Sequence, residues 1–215
     1  MNVVLLGATG KVGGPILAEL LERGHGVTAV VRDVSRLPAE SAALAHRVGD
    51  AFDPAVLDDV LPGADAVICS VALRDPAQRE RTPELLLRTV GAAAARAGVR
   101  LLTMGGAGSL RTATGVDLVD TPGFPEVAKP ESLGFRAALH ELIEHAPAGL
   151  DWTMLSPPAS IEVAGPRTGR YRTADDTLLT DETGASRISA SDLAAALVDE
   201  LENPKHPGRR FTAGY

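Results

Sequence analysis

Three glycines at a spacing of three stand near the start of the chain: Gly7, Gly10 and Gly13, in the run Gly7-Ala-Thr-Gly-Lys-Val-Gly13. Their chemistry comes from the missing Cβ. Such a residue lets the chain turn sharply off a strand, lets an anion reach the main chain, and lets a helix press against a sheet. Gly7 suits the first task, Gly10 the second and Gly13 the third. The amides of the following helix would then present a partial positive charge to a pyrophosphate. A tight strand-to-helix turn with no ligand would use the same residues, so the flanks matter. The five residues before Gly7 are rich in Val and Leu, and Val12, Ile16, Leu17, Leu20 and Leu21 fall on one helical face. A Walker loop is excluded, because Val12 follows Gly10-Lys11 where Ser or Thr is required.

Further groups sit where later strands should end. Residues 27–31 read as a strand, and Arg32-Asp33-Val34-Ser35-Arg36 follows it. This is about 20 residues past the glycine turn, where an adenosine ribose is met. An acid there would hold the 2′-hydroxyl of NAD. Two guanidinium groups favour a 2′-phosphate, so Arg32 and Arg36 point to NADP(H) over NAD(H), with Asp33 the competing signal. Asp50, at the end of a third strand, is either an acceptor for the adenine amino group or a turn aspartate. Val71, Ala72 and Leu73 would form an apolar shelf beside the cofactor. A second glycine cluster, Gly105-Gly-Ala-Gly-Ser109, ends the fifth strand and should face the same crevice. Gly105 and Gly106 would offer N–H groups to a substrate oxygen. Ser109 is either a catalytic hydroxyl or a turn cap. Pro157 and Pro158 force an extended exit from the sixth strand and would wall the nicotinamide.

The elements that must position these groups alternate. Strands are expected at 27–31, 46–48, 65–70, 99–104 and 151–155 after the first. Helices are expected to end at Gly24, to open at Asp53-Pro54 and Thr82-Pro83, and to fill 131–145. That alternation predicts an α/β Rossmann-like, doubly wound parallel sheet in the order 3-2-1-4-5-6. Residues 1–215 form one NAD(P)-binding domain on this reading, with 156–215 as a small substrate-side cover. Within that cover, 168–173, 176–181, 185–188 and 210–212 look like short strands, and Ser189-Ala-Ser-Asp192 is a capping box. Residues 74–81 read as an exposed loop, and the irregular 110–131 as a substrate lid.

Composition removes other classes. A chain of 215 residues with 45% apolar residues can bury a full core, built from Leu, Val, Ala and Ile because aromatics are only 3%. The net charge of −7 argues against nucleic acid or an anionic membrane as partner, and leaves a small-molecule substrate. A single cysteine, Cys69, fits a reducing, cytoplasmic setting, and inside a strand it reads as a small hydrophobe. No signal-peptide pattern is visible, and no apolar run approaches the ~20 residues of a membrane span. His140 and His145 are five apart and point to different helix faces, so no metal is expected.

Taken in order, Gly7-Ala-Thr-Gly-Lys-Val-Gly13, Val30-Val-Arg-Asp33 with Arg36-Leu-Pro38, Gly49-Asp50, Gly105-Gly-Ala-Gly-Ser109, Leu155-Ser-Pro-Pro158 and Ile188-Ser-Ala-Ser-Asp192 resemble an atypical short-chain dehydrogenase/reductase of the NAD(P)H-binding, NmrA-like type. The stretch from Val31 to Pro38 is also similar to biliverdin-IX-beta reductase, a flavin reductase. The resemblance implies that Gly7, Thr9, Gly10, Lys11, Val12 and Gly13 line the pyrophosphate. It implies that Arg32 and Arg36 hold the 2′-phosphate, that Asp50 and Ala51 border the adenine, that Val71, Ala72 and Leu73 lie along the cofactor, and that Pro157 is near the nicotinamide. One departure stands out. Standard members carry Tyr-x-x-x-Lys as proton donor, whereas here Tyr171 and Tyr215 are the two tyrosines and neither precedes a lysine by four. Direct hydride transfer to a flavin or quinone can do without that acid. A non-catalytic NADP sensor of NmrA type also fits its absence. A sugar-nucleotide epimerase-like enzyme is the third possibility, weakened by the short C-terminal region.

Overall fold

The computed structural model describes residues 1–38, 41–73 and 80–215. Of the loop expected at 74–81, residues 74–79 lie outside that range. In chain order the elements are β1 (Asn2–Leu6), α1 (Gly13–Glu22), β2 (Gly26–Val31), the 3₁₀ turn Val34–Arg36, β3 (Leu44–Val48), α2 (Pro54–Val60), β4 (Ala66–Cys69), α3 (Pro83–Ala97), β5 (Arg100–Met104), α4 (Lys129–His145) and β6 (Trp152–Ser156). The chain then runs through β7 (Ser160–Glu162), β8 (Arg172–Ala174), β9 (Arg187–Ser189), α5 (Ala190–Glu202) and β10 (Arg209–Gly214).

Local chemistry sets these boundaries. Asp53 accepts from the Ala55 amide at 2.9 Å and Pro54 follows, so α2 starts there. Thr82 does the same for α3 through the Leu85 amide, and Gly98 ends that helix at φ +68°. Ser189 accepts from the Asp192 amide at 3.0 Å and opens α5. Asp192 does not close that box directly. The Ser189 amide donates to the Tyr215 hydroxyl, which donates in turn to Asp192 at 2.7 Å.

The main sheet has eight strands in the order β3-β2-β1-β4-β5-β6-β10-β8. Its first six keep the expected 3-2-1-4-5-6 order, all parallel, and β10 extends it in parallel beside β6. At the edge, β8 pairs antiparallel with β10. A separate parallel pair joins β7 to β9. The strand expected at 176–181 does not form. Thr177 makes only an isolated bridge to Arg111, while Asp181 takes the amides of Thr183 and Ala185 into a local turn. Nor is 110–131 without order: it holds 3₁₀ turns at Leu118–Asp120 and Glu126–Ala128, and Leu110 and Val119 are fully buried.

Apolar residues cover both sheet faces. On one side Ile16, Leu17 and Leu20 of α1 pack with Leu193, Leu197 and Leu201 of α5. On the other, Leu57 of α2 joins Leu86, Leu87 and Val90 of α3 and Leu139 and Leu142 of α4. The α1–α5 contact also carries charge. Glu19 on α1 is 3% exposed and bonds Arg23 and Arg167, each at 2.6 Å. Arg23 reaches on to Asp199 and Glu202 of α5 at 2.8 and 2.7 Å. Burial pushes the Glu19 carboxyl upward, but the bonds from Arg167 and Arg23 outweigh it and hold the group below its ordinary 4.5.

Gly7 takes φ +89°, and a Cβ on it would lie 2.6 Å from the Ser70 carbonyl oxygen. A Cβ on Gly13 would lie 1.9 Å from the Gly7 carbonyl oxygen, whereas one on Gly14 would make ordinary contact at 3.8 Å from that of Ala8. Gly13→Ala should therefore cost ~3 kcal/mol or more in urea unfolding, since backbone cannot yield as a side chain can. Gly14→Ala should be neutral or stabilise by up to ~1 kcal/mol. A depressed carboxyl contributes stability above its unfolded pKa and loses it as pH falls through the folded value. The gap in urea midpoint between the native protein and Glu19→Gln should thus be present at pH 7 and close as pH falls below 4.5.

Candidate functional site

In the sheet β1 lies between β2 and β4, so the chain winds one way to β3 and then crosses back to β4. Crevices form at the carboxyl ends of strands at such a reversal. A cavity of about 230 Å³ lies there. Its wall is formed by Gly7, Thr9 and Gly10 after β1, Arg32 and Arg36 after β2, Asp50, Ala51 and Phe52 after β3, Ser70 to Leu73 after β4, and Arg81 ahead of α3. The structure therefore gathers ten of the sixteen residues predicted from sequence on one wall.

The first turn leaves main-chain donors available. The Gly10 amide is used on the Gly7 carbonyl and the Gly14 amide on that of Gly10, both at 2.9 Å. Those of Lys11 and Val12 meet no acceptor among the described residues. The first turn of α1 contains no acid. This is a donor set suited to an anion.

Beyond β2 the competing signals separate in space. Asp33 turns back on its own segment, accepting from the Ser35 amide at 3.0 Å and its hydroxyl at 2.7 Å, and so caps the 3₁₀ turn Val34–Arg36. Those two bonds hold its carboxyl below the usual range. Asp33 is not on the cavity wall, whereas Arg32 and Arg36 are. Arg36 donates to the Thr9 carbonyl at 3.3 Å, which ties the second loop to the first.

Asp50 is held from two sides. It accepts from the Phe52 amide at 3.0 Å and from Arg81 Nη1 at 2.6 Å. Burial pushes its carboxyl up, but these bonds and the charges of Arg81 and Arg32 bring it net below the ordinary value. The Arg81 guanidinium lies over the Phe52 ring, 4.8 Å from its centroid. Phe52, Ser70 and Arg81 were not singled out from sequence. Phe52 is two residues past Asp50 and was open to notice. Arg81 is 31 residues from Asp50, and no local pattern marks that pairing.

Six predicted residues lie elsewhere. Lys11, Val12 and Gly13 carry the turn into α1, and Gly105, Ser109 and Pro157 are buried off the cavity wall. Gly105 cannot offer its N–H to a substrate as expected, because that group donates to the Leu155 carbonyl in the sheet at 2.9 Å. The cluster is small for packing reasons. A Cβ on Gly105 would lie 2.6 Å from the Met154 sulfur, and one on Gly108 would lie 2.7 Å from the Ser132 Cβ. The Ser109 hydroxyl accepts from Arg210 Nη1 at 2.7 Å, and Arg210 also pairs with Asp176. Both tyrosines bond at α5: Tyr171 donates to Asp199, and Tyr215 serves Ser189 and Asp192. Cys69 is enclosed in β4, and burial pushes its thiol up to about 11. Among the described residues no cluster of three or more His, Cys, Asp or Glu could hold a metal, and no helix is long and apolar enough to cross a membrane.

A family model described as NAD(P)H-binding matches residues 7–204. The uncharacterized protein YwnB of Bacillus subtilis (strain 168) is 36% identical over 214 residues, 99% of this chain and 97% of its own. Among solved structures, a "putative epimerase" from Bacteroides thetaiotaomicron superposes with a TM-score of 0.90 at 39% identity, over all of this chain and 96% of that one. A "putative NADH-flavin reductase" from Streptococcus pneumoniae TIGR4 gives a TM-score of 0.87 at 34% identity, over all of this chain and 99% of that one.

The Ser109 geometry makes a specific expectation. Ser109→Ala leaves a buried Arg210 donor without its acceptor and should cost about 1–2 kcal/mol in urea unfolding. Calorimetric dinucleotide affinity should stay within twofold of the unmodified chain (~0.4 kcal/mol), since the hydroxyl is off the cavity wall.

Proposed function

The chain belongs to the NAD(P)H-binding family whose model it matches over residues 7–204, and we propose that it is an NADP(H)-preferring reductase passing hydride directly to a small conjugated acceptor such as a flavin or quinone. The dinucleotide would supply that hydride from its nicotinamide ring. The remaining tasks fall to the chain. The amides of Lys11 and Val12, with the bare backbone at Gly10, would hold the pyrophosphate in the turn that Gly7 and Gly13 allow. The carbonyl of Thr9 is already tied to Arg36, which keeps that arginine at the rim. Arg32 and Arg36 would take the 2′-phosphate, and Asp50 and Ala51 would border the adenine. Val71, Ala72 and Leu73 would run along the cofactor and keep water from its reacting face, with Pro157 behind the nicotinamide.

The observation that carries the acceptor class is the placement of the two tyrosines. Each hydroxyl is engaged by a carboxylate on α5, and neither tyrosine precedes a lysine by four. A side-chain acid typically contributes about 10²–10⁴-fold in rate to carbonyl reduction. An acceptor protonated by solvent after hydride transfer does not need one. The name of the Streptococcus pneumoniae neighbour supports the same class. We also propose a cytoplasmic setting, in which Cys69 stays a thiol.

Purified protein should oxidise NADPH in the presence of a flavin or a quinone, measured by loss of nicotinamide absorbance. Tight binding with no turnover across such a panel would favour a cofactor sensor instead. Arg32→Glu should raise the KM for NADPH by about 10–100-fold, the loss of one charge-assisted bond, and change that for NADH little. Equal losses for both would remove Arg32 from the 2′-phosphate.

A further inference from the structure

Arg81 lines the cavity, yet neither the glycine motif nor the strand-end arginines account for it. Its guanidinium is fixed at two points. One edge donates to Asp50 at 2.6 Å, and one face lies on the Phe52 ring at 4.8 Å. Arg81 and Asp50 each remain 31% exposed, and both line the cavity. We propose that Arg81 is the platform on which the adenine base of the dinucleotide stacks, and so a specificity-determining residue of the base end. This rests on reading the cavity as an NADP(H) site.

The physical case has three parts. The charge of Arg81 is already matched by Asp50, so what it has left to offer is its flat, weakly hydrated face rather than a free charge. Its rotamer is held before any ligand arrives, so little side-chain entropy remains to be lost on stacking. Asp50, which pins it, also retains acceptor lone pairs, since a carboxylate can take about four hydrogen bonds and only two are recorded here. A base lying on Arg81 would thus have its amino edge beside an acceptor. A purine with an amino group meets both features, and one with a carbonyl at that position meets a second acceptor instead.

The test uses the full chain and adenosine 2′,5′-bisphosphate as the probe, with affinity by calorimetry and stacking by the ultraviolet difference spectrum of the adenine. Arg81→Lys keeps the charge and can still reach Asp50, but has no plane. Arg81→Ala removes both. Affinity should fall about five- to tenfold in either variant, the range of a cation–π contact, and the adenine absorbance decrease seen with the native protein should vanish. Native affinity and an unchanged difference spectrum in Arg81→Lys would overturn the proposal by showing that charge suffices. Tighter binding in Arg81→Ala would overturn it by showing that Arg81 obstructs the base. Failure of the unmodified protein to bind the probe would overturn the cofactor reading itself, and this proposal with it.

Discussion

The constraint on which the site depends lies between main-chain atoms. The carbonyl of Gly7 and the first residue of α1 approach so nearly that the position has no room for a methyl group. Gly7 in turn lies against the Ser70 carbonyl at the end of β4. Strand, turn, helix and neighbouring strand are therefore locked together by backbone alone. That lock sets the α1 amino terminus at the reversal of the sheet, where no strand fills the gap and an anion can approach. Repacking can accommodate a changed side chain, but it cannot move this contact without parting α1 from β1.

Around that junction the two faces of the sheet are organised differently. The face covered by α2, α3 and α4 packs an apolar layer, and the ion pairs that link those helices, Arg88–Glu141 and Arg96–Asp58, are more exposed than Glu19. The face covered by α1 and α5 combines an apolar seam with the Glu19–Arg23–Asp199–Glu202 chain of ion pairs and with Arg167 from the segment beyond β7. Partly buried pairs of this kind add less to stability than to register, because desolvation offsets much of their attraction. They tie α1 to α5 at Arg23 and to the segment beyond β7 at Glu19.

Much of this was legible in sequence because it is local. The glycine spacing, the capping residues Asp53, Thr82 and Ser189, and the run of buried strands each depend on neighbours within a few positions. The order of the first six strands is that of the doubly wound class to which the glycine turn and the strand–helix succession point. The residues that escaped depend on partners far along the chain. Arg81 finds Asp50 across 31 positions, and Arg210 finds Ser109 across 101. Tyr215 closes the α5 cap from 26 positions away. Asp33 shows a subtler limit. Its type suited a ribose, but a local bond to Ser35 turned it aside, and side-chain orientation of that sort is invisible to motif spacing. Gly105 carries a similar lesson: its N–H looked ligand-facing, but the sheet bond to Leu155 uses it and Met154 fills the space beside it.

The seam between α1 and α5 has a consequence for how the molecule can be divided. Every residue on the cavity wall precedes α3, so a fragment ending after β6 would keep the whole wall. It would also uncover Ile16, Leu17 and Leu20 to water and leave β6 as a bare sheet edge. The apparent nucleotide module is thus not autonomous. The helix that presents the anion-facing turn owes its shelter to α5, well over a hundred residues further along, so during synthesis the turn is firmly seated only once that distant helix has been made.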